Sequence, residues 1–212
     1  EIWLDALDSR EKGIFDEAIR LAKEVVEIDG KNTEAWMAIA MWSLPPPTKG
    51  KPVQPSLQQS AKSMSALKKV ILYEPENLEA WIIGGRILLD HLGMLEDALQ
   101  WWEECRVQFP KNVTPVLEQI AILVRLGLYE ECAERLAELH DEGMEEPTSQ
   151  QKMRMQGVKG MVDRAAKMEK DEIFKPQDPN HPRWEVIERM RKVKPLSSTF
   201  WLVAFIAPVV FI

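Results

Sequence analysis

The sequence predicts an all-α chain built as a solenoid of stacked helix pairs, and three observations carry that prediction. Of its 212 residues 45% are hydrophobic and 29% charged, with two tyrosines, few β-branched runs and no segment of strict apolar–polar alternation, so strands have no signal. One heptapeptide pattern occurs three times, as Gly13-Ile-Phe-Asp-Glu-Ala-Ile19, Gly93-Met-Leu-Glu-Asp-Ala-Leu99 and Gly127-Leu-Tyr-Glu-Glu-Cys-Ala133. A second pattern interleaves with it, as Asp29-Gly-Lys-Asn-Thr-Glu-Ala-Trp36, Glu74-Pro-Glu-Asn-Leu-Glu-Ala-Trp81 and Phe109-Pro-Lys-Asn-Val-Thr-Pro-Val116. Self-similarity at this scale is the signature of a repeat architecture, in which each unit buries its apolar face only against its neighbours.

The elements follow in order. Four repeats are expected at about 1–32, 33–77, 78–112 and 113–146, each a helix, a turn and a second helix. The glycines suit the residue after a helix end, where a left-handed conformation is needed. Pro75 and Pro110 stop the helix before them. The acidic pairs Asp16-Glu17, Glu96-Asp97 and Glu130-Glu131 recur at one repeat position, as expected of a helix start whose dipole favours negative charge. The second repeat is longer because Leu44-Pro-Pro-Pro-Thr-Lys-Gly-Lys-Pro-Val-Gln-Pro55 interrupts it; this stretch favours extended polyproline conformation, and Ser56 with Gln59 offers a capping box to restart the helix. A second capping box, Thr148 with Gln151, opens a capping helix over 147–170, whose stripe is Met155, Val158, Met161, Val162, Ala165 and Met168.

The asparagines Asn77 and Asn112 lie 35 positions apart and the glycines Gly93 and Gly127 lie 34 apart. With Trp81, Gly85, Gly93, Ala98, Trp102, Cys105 and Pro110 in the third repeat, and Trp36, Ala40, Leu67, Val70 and Pro75 in the second, residues 1–146 resemble a tetratricopeptide repeat (TPR) protein. The first repeat matches through Ala6, Gly13, Ala18, Ala22 and Val25, and the fourth through Val116, Ile120, Gly127, Cys132, Leu136 and Leu139, without a closing proline. The resemblance implies a concave groove, lined by the first helix of each repeat, that binds a protein or peptide partner. Carried over by repeat position, the lining is Trp3 and Leu7, then Met37, Ala38 and Met41, then Ile82, Ile83 and Arg86, then Leu117, Glu118 and Ala121. That lining is mostly apolar and suits an amphipathic helix. It lacks the lysines and asparagines with which chaperone-binding members of the family clamp a carboxylate. The chain's own residues 153–190 are the alternative occupant.

Charge is unevenly spread. Residues 1–147 carry a net of -12 and residues 148–212 a net of +5, so the repeats are expected to avoid nucleic acid and anionic lipid. A polar linker over 171–182 holds Pro176, Pro179 and Pro182. Over 183–195 a short amphipathic helix is expected, with Trp184, Ile187 and Met190 on one side and Arg183, Arg189, Arg191, Lys192 and Lys194 among the rest. Residues 196–212 then read as the start of a transmembrane helix, with Trp184 and Trp201 at the interface and the repeats on the cytoplasmic side by the positive-inside bias. Seventeen residues fall short of the roughly 20 that a span needs, and the chain begins at Glu1, so a fragment of a longer protein is expected. Pro208 inside the apolar run suits a multi-helix bundle.

Cys105 and Cys132 fall where the repeat takes small buried residues, and free thiols are expected. His91, His140 and His181 share no metal-ligand spacing. No phosphate-binding loop, nucleophile elbow or cofactor motif is present in the sequence. The sequence therefore predicts no enzyme and no cofactor, but a membrane-anchored scaffold that binds a protein partner; the alternative is the cytoplasmic regulatory domain of a larger polytopic membrane enzyme or transporter.

Overall fold

A computed structural model describes residues 1–46, 53–141 and 143–167. Among the described residues every regular element is helical: α1 (Ile2–Glu11), α2 (Phe15–Ile28), α3 (Thr33–Trp42), α4 (Leu57–Tyr73), α5 (Leu78–Arg86) running into a π-helical turn (Ile87–His91), α6 (Leu95–Gln108), α7 (Val113–Leu126), α8 (Tyr129–Glu138) and α9 (Ser149–Ala165). Each helix packs on the next in the chain, from α1 on α2 to α8 on α9, which is the nearest-neighbour arrangement of a solenoid.

Both sequence echoes have physical causes. The three aligned asparagines are N-caps: Asn32 accepts a hydrogen bond from the Ala35 amide at 2.9 Å, Asn77 from Ala80 at 3.1 Å and Asn112 from Thr114 at 2.9 Å, each satisfying a free donor at a helix start. The three aligned glycines adopt φ of +77°, +64° and +71° at Gly13, Gly93 and Gly127, the conformation that closes a helix and turns the chain into the next. The acidic pairs after them all lie in first turns, of α2, α6 and α8. Both capping boxes form, at Ser56/Gln59 and Thr148/Gln151.

The mismatch between the two repeat spacings is absorbed at one place. From Asn77 to Gly93 the chain has one residue more than from Asn112 to Gly127. The surplus appears as the π-helical turn at the end of α5, where Leu92 N–H donates to the Ile87 carbonyl at 3.0 Å. A single extra residue inside a helix is commonly accommodated in this way.

The core lies between the two helices of each pair and between successive pairs. Ala18, Ala22, Ala35, Ala40, Ala80 and Ala98 are fully buried, and these small side chains let neighbouring helices approach closely. The closest approach is between α5 and α6. A Cβ on Gly84 would lie 2.2 Å from Trp101 Cζ2, and one on Gly85 would lie 2.2 Å from Trp102 Cζ2. Two tryptophan rings therefore rest directly on two glycines. Trp101 also donates its indole N–H to the Trp81 carbonyl at 2.8 Å, and the Trp81 and Trp101 rings tilt against each other at 4.8 Å.

Cys105 and Cys132 are free and buried, as expected. Burial pushes the Cys105 thiol up to about 12, and burial followed by the Glu131 carboxylate does the same for Cys132, so neither forms a reactive thiolate near neutral pH. On the α6–α8 side, Glu103 accepts hydrogen bonds from Gln119 at 2.8 Å and Arg106 at 2.9 Å. Chiefly the Gln119 bond holds its carboxyl below the usual range.

Gly85→Ala is expected to destabilise the chain by about 1–3 kcal/mol through overpacking, although alanine gains about 1 kcal/mol of helix propensity over glycine. The urea midpoint reads the difference, and an unchanged or raised midpoint would refute the interlock.

Candidate functional site

The first helix of each pair presents residues three and four apart on one face. In α1 these are Trp3 and Leu7, in α3 Met37, Ala38 and Met41, in α5 Ile82, Ile83 and Arg86, and in α7 Leu117, Glu118 and Ala121. Their exposure divides the face in two.

At the N-terminal end the face is open and apolar. Leu7 is 38% exposed and Met41 49%, while Trp3, Met37, Ile82 and Ile83 are half-buried and pack on the core from the outside. Trp3 stacks on Trp42 with centroids 6.1 Å apart and planes 13° from parallel, joining α1 to α3 across this face. Ala38 is nearly buried and forms floor rather than wall. Glu34 and Glu79 are exposed one turn before Met37 and Ile82, and Arg86 is exposed one turn after.

At the C-terminal end the face is covered. Leu117 is only 2% exposed and belongs to a core cluster that includes Met155 of α9, so it offers no open surface. Glu118 is half-buried and pairs with Arg154 of α9 at 2.8 Å. Gln151 Nε2 donates to Thr114 Oγ1 at 3.3 Å. The physical reason is that α9 lies alongside α7 and covers the positions that the repeat pattern would leave free. Between α5, α7 and the start of α9 there remains a small cavity of about 220 Å³, bordered by Ile82, Arg86, Glu118, Gln151 and Arg154, with the Trp102 ring among its walls. Ala121 is half-buried beyond it.

Sequence reasoning missed Trp42, because it ends α3 just before the proline-rich interruption and occupies no repeat position. It also missed Arg154, whose role depends on where α9 lands. Neither residue carries a local signal. His91 ends the π-helical turn and lies 2.9 Å from Gln54 Oε1, which ties the return of the interruption to α5. Among the described residues no group of three His, Cys, Asp or Glu side chains is placed to hold a metal ion.

The membrane-interface residues Trp184, Arg189, Arg191, Lys192, Lys194 and Trp201 lie outside the described residues, as do His181, the linker and the apolar run. Among the described residues no helix is long and apolar enough to cross a membrane.

No protein-family model matches the chain, and no curated protein sequence matches it. Solved structures do match. Two crystal structures of MamA superpose with TM-scores of 0.51 and 0.52 at 17% and 18% identity. The first alignment covers 88% of this chain and 96% of that chain, the second 92% and 95%. TTC0263, a thermophilic TPR protein in Thermus thermophilus, aligns over 78% of this chain and 83% of its own with a TM-score of 0.44 at 15% identity. The fold of stacked helix pairs is the one this chain shares with the MamA structures. At such identities the likeness concerns the fold alone.

Proposed function

We propose that this TPR-like chain is a protein–protein interaction scaffold whose first-helix face binds the apolar side of a partner helix or peptide. The observation that carries the reading is the open apolar strip across α1, α3 and α5, in which Leu7 and Met41 are exposed beside half-buried Trp3, Met37, Ile82 and Ile83. An apolar strip rimmed by charged residues, here Glu34, Glu79 and Arg86, is the usual form of a docking surface. Methionine adapts to irregular partners, and a helix laid in such a groove engages it with residues three and four apart. Residues 196–212 serve as the membrane tether in this reading, with the repeats on the cytoplasmic side, because cations at Arg189, Arg191, Lys192 and Lys194 precede an uncharged apolar run.

Met41→Glu combined with Ile83→Glu is expected to reduce partner capture at least tenfold while the helical circular dichroism signal is kept. Val107→Glu, on the exposed side of α6, is expected to leave capture unchanged. Equal capture by all three chains would refute the groove. For the tether, a chain ending before Leu196 is expected to leave the membrane fraction, and its retention there would overturn that part of the reading.

A further inference from the structure

The apolar strip of the first-helix face stops where α9 covers α7, and at that end it meets the cavity of about 220 Å³ between α5, α7 and the start of α9, with Ile82 on the border of both. The cavity is too narrow for a helix, whose diameter with side chains is about 10–12 Å, but it has room for one side chain. Its walls differ from the strip in carrying donors. Arg86 is exposed on the border and has no hydrogen bond or ion pair among the described residues. Arg154 and Glu118 also border the cavity and are paired with each other at 2.8 Å, so with Arg86 the border carries one net positive charge. Helix α9 begins there, with Thr148 and Gln150 on the border, and the positive end of its dipole adds to that charge. The Trp102 ring forms part of the wall. It is 1% exposed, its indole N–H has no hydrogen-bond partner, and its pyrrole edge lies against Gly85, the residue before Arg86. A buried donor left unpaired is costly and uncommon.

We propose that this cavity takes the carboxylate of an Asp or Glu side chain at one end of the partner helix, a reading that rests on the first-helix face being the docking surface. A carboxylate is acceptor-only and has two oxygens, one for the Trp102 N–H and one for the Arg86 guanidinium. Its single negative charge offsets the single surplus cation of the border. The bond to Arg86 is charge-assisted and therefore among the stronger kinds, while the bond to Trp102 supplies the partner that this buried donor lacks. The apolar strip alone does not distinguish the two directions in which a helix could lie on it. A charged anchor at one end does, since like charge placed there is repelled. The partner is thus an amphipathic helix whose apolar positions, three and four apart, end next to an acidic residue.

The test is a titration of the full nitrogen-15-labelled chain with sodium acetate, whose carboxylate is that of an acidic side chain, read at the Trp102 indole N–H resonance. Sodium chloride at equal ionic strength and acetamide, the neutral analogue, are the controls. Acetate is expected to displace the Trp102 resonance saturably where neither control does. The affinity is expected to fall at least tenfold in Arg86→Gln and to recover largely in Arg86→Lys; Arg86 is exposed, so both chains keep the fold. No displacement, or equal displacement by acetate and chloride, would overturn the site. Partner capture is read on the same chains, with at least a fivefold loss expected for Arg86→Gln and recovery for Arg86→Lys. Saturable acetate binding with undiminished capture by Arg86→Gln would overturn the assignment to a partner side chain and make a free small carboxylate the ligand. The titration involves no partner, so its failure leaves the groove reading standing, whereas undiminished capture by the Met41→Glu, Ile83→Glu chain strikes the groove and, with it, the partner proposed here.

Discussion

The structure depends on the contact of two tryptophans with two glycines at the α5–α6 crossing. Trp101 and Trp102 lie so close to Gly84 and Gly85 that no side chain of any size fits between them. Trp102 is fully buried, and removing a ring so placed would cost about 3–5 kcal/mol. Its indole N–H has no hydrogen-bond partner, so the ring is held there by shape and apolar burial, which outweigh about 1–3 kcal/mol of unsatisfied polarity. Trp101 is anchored by both means, through its bond to the Trp81 carbonyl and its contact with Gly84. Trp81 in turn donates to the Pro75 carbonyl at 2.9 Å, which carries the chain of contacts back to the connection between α4 and α5.

The third pair is thereby the fixed point on which the others stack. Towards the N-terminus it meets α4 through Met64, Leu67 and Val70, and towards the C-terminus the α6 side meets Ile122 of α7, all within one buried cluster. A smaller cluster under α7, α8 and α9 closes the other end. On the first-helix face of α1, α3 and α5, Trp3, Met37, Ile82 and Ile83 pack on this core from the outside, whereas Leu7 and Met41 stand exposed beside them. An exposed Met41 or Leu7 contributes little to such a core.

Much of this was legible in the sequence because it recurs. The aligned asparagines and glycines each mark a backbone requirement, a cap at Asn32, Asn77 and Asn112 and a left-handed turn at Gly13, Gly93 and Gly127, and a requirement repeated three times stands above chance. Even the π-helical turn left a trace, in the disagreement between a spacing of 35 and one of 34. What was not legible depends on single, long-range placements. The repeat pattern puts Leu117 on the open face, yet α9 covers it, and nothing near Leu117 in the sequence encodes that. The pairing of Gly84 with Trp101 was hidden for the same reason, since the repeat resemblance points only to Gly85 as the small residue and Trp102 as the bulky one.

Amide hydrogen exchange along the native chain tests the central claim most directly. If the glycine–tryptophan interlock is the fixed point of the stack, the slowest amides lie in α5 and α6, and exchange quickens towards α1 at one end and α9 at the other. Exchange that is fastest in α5 and α6, or uniform over all the helices, would contradict it.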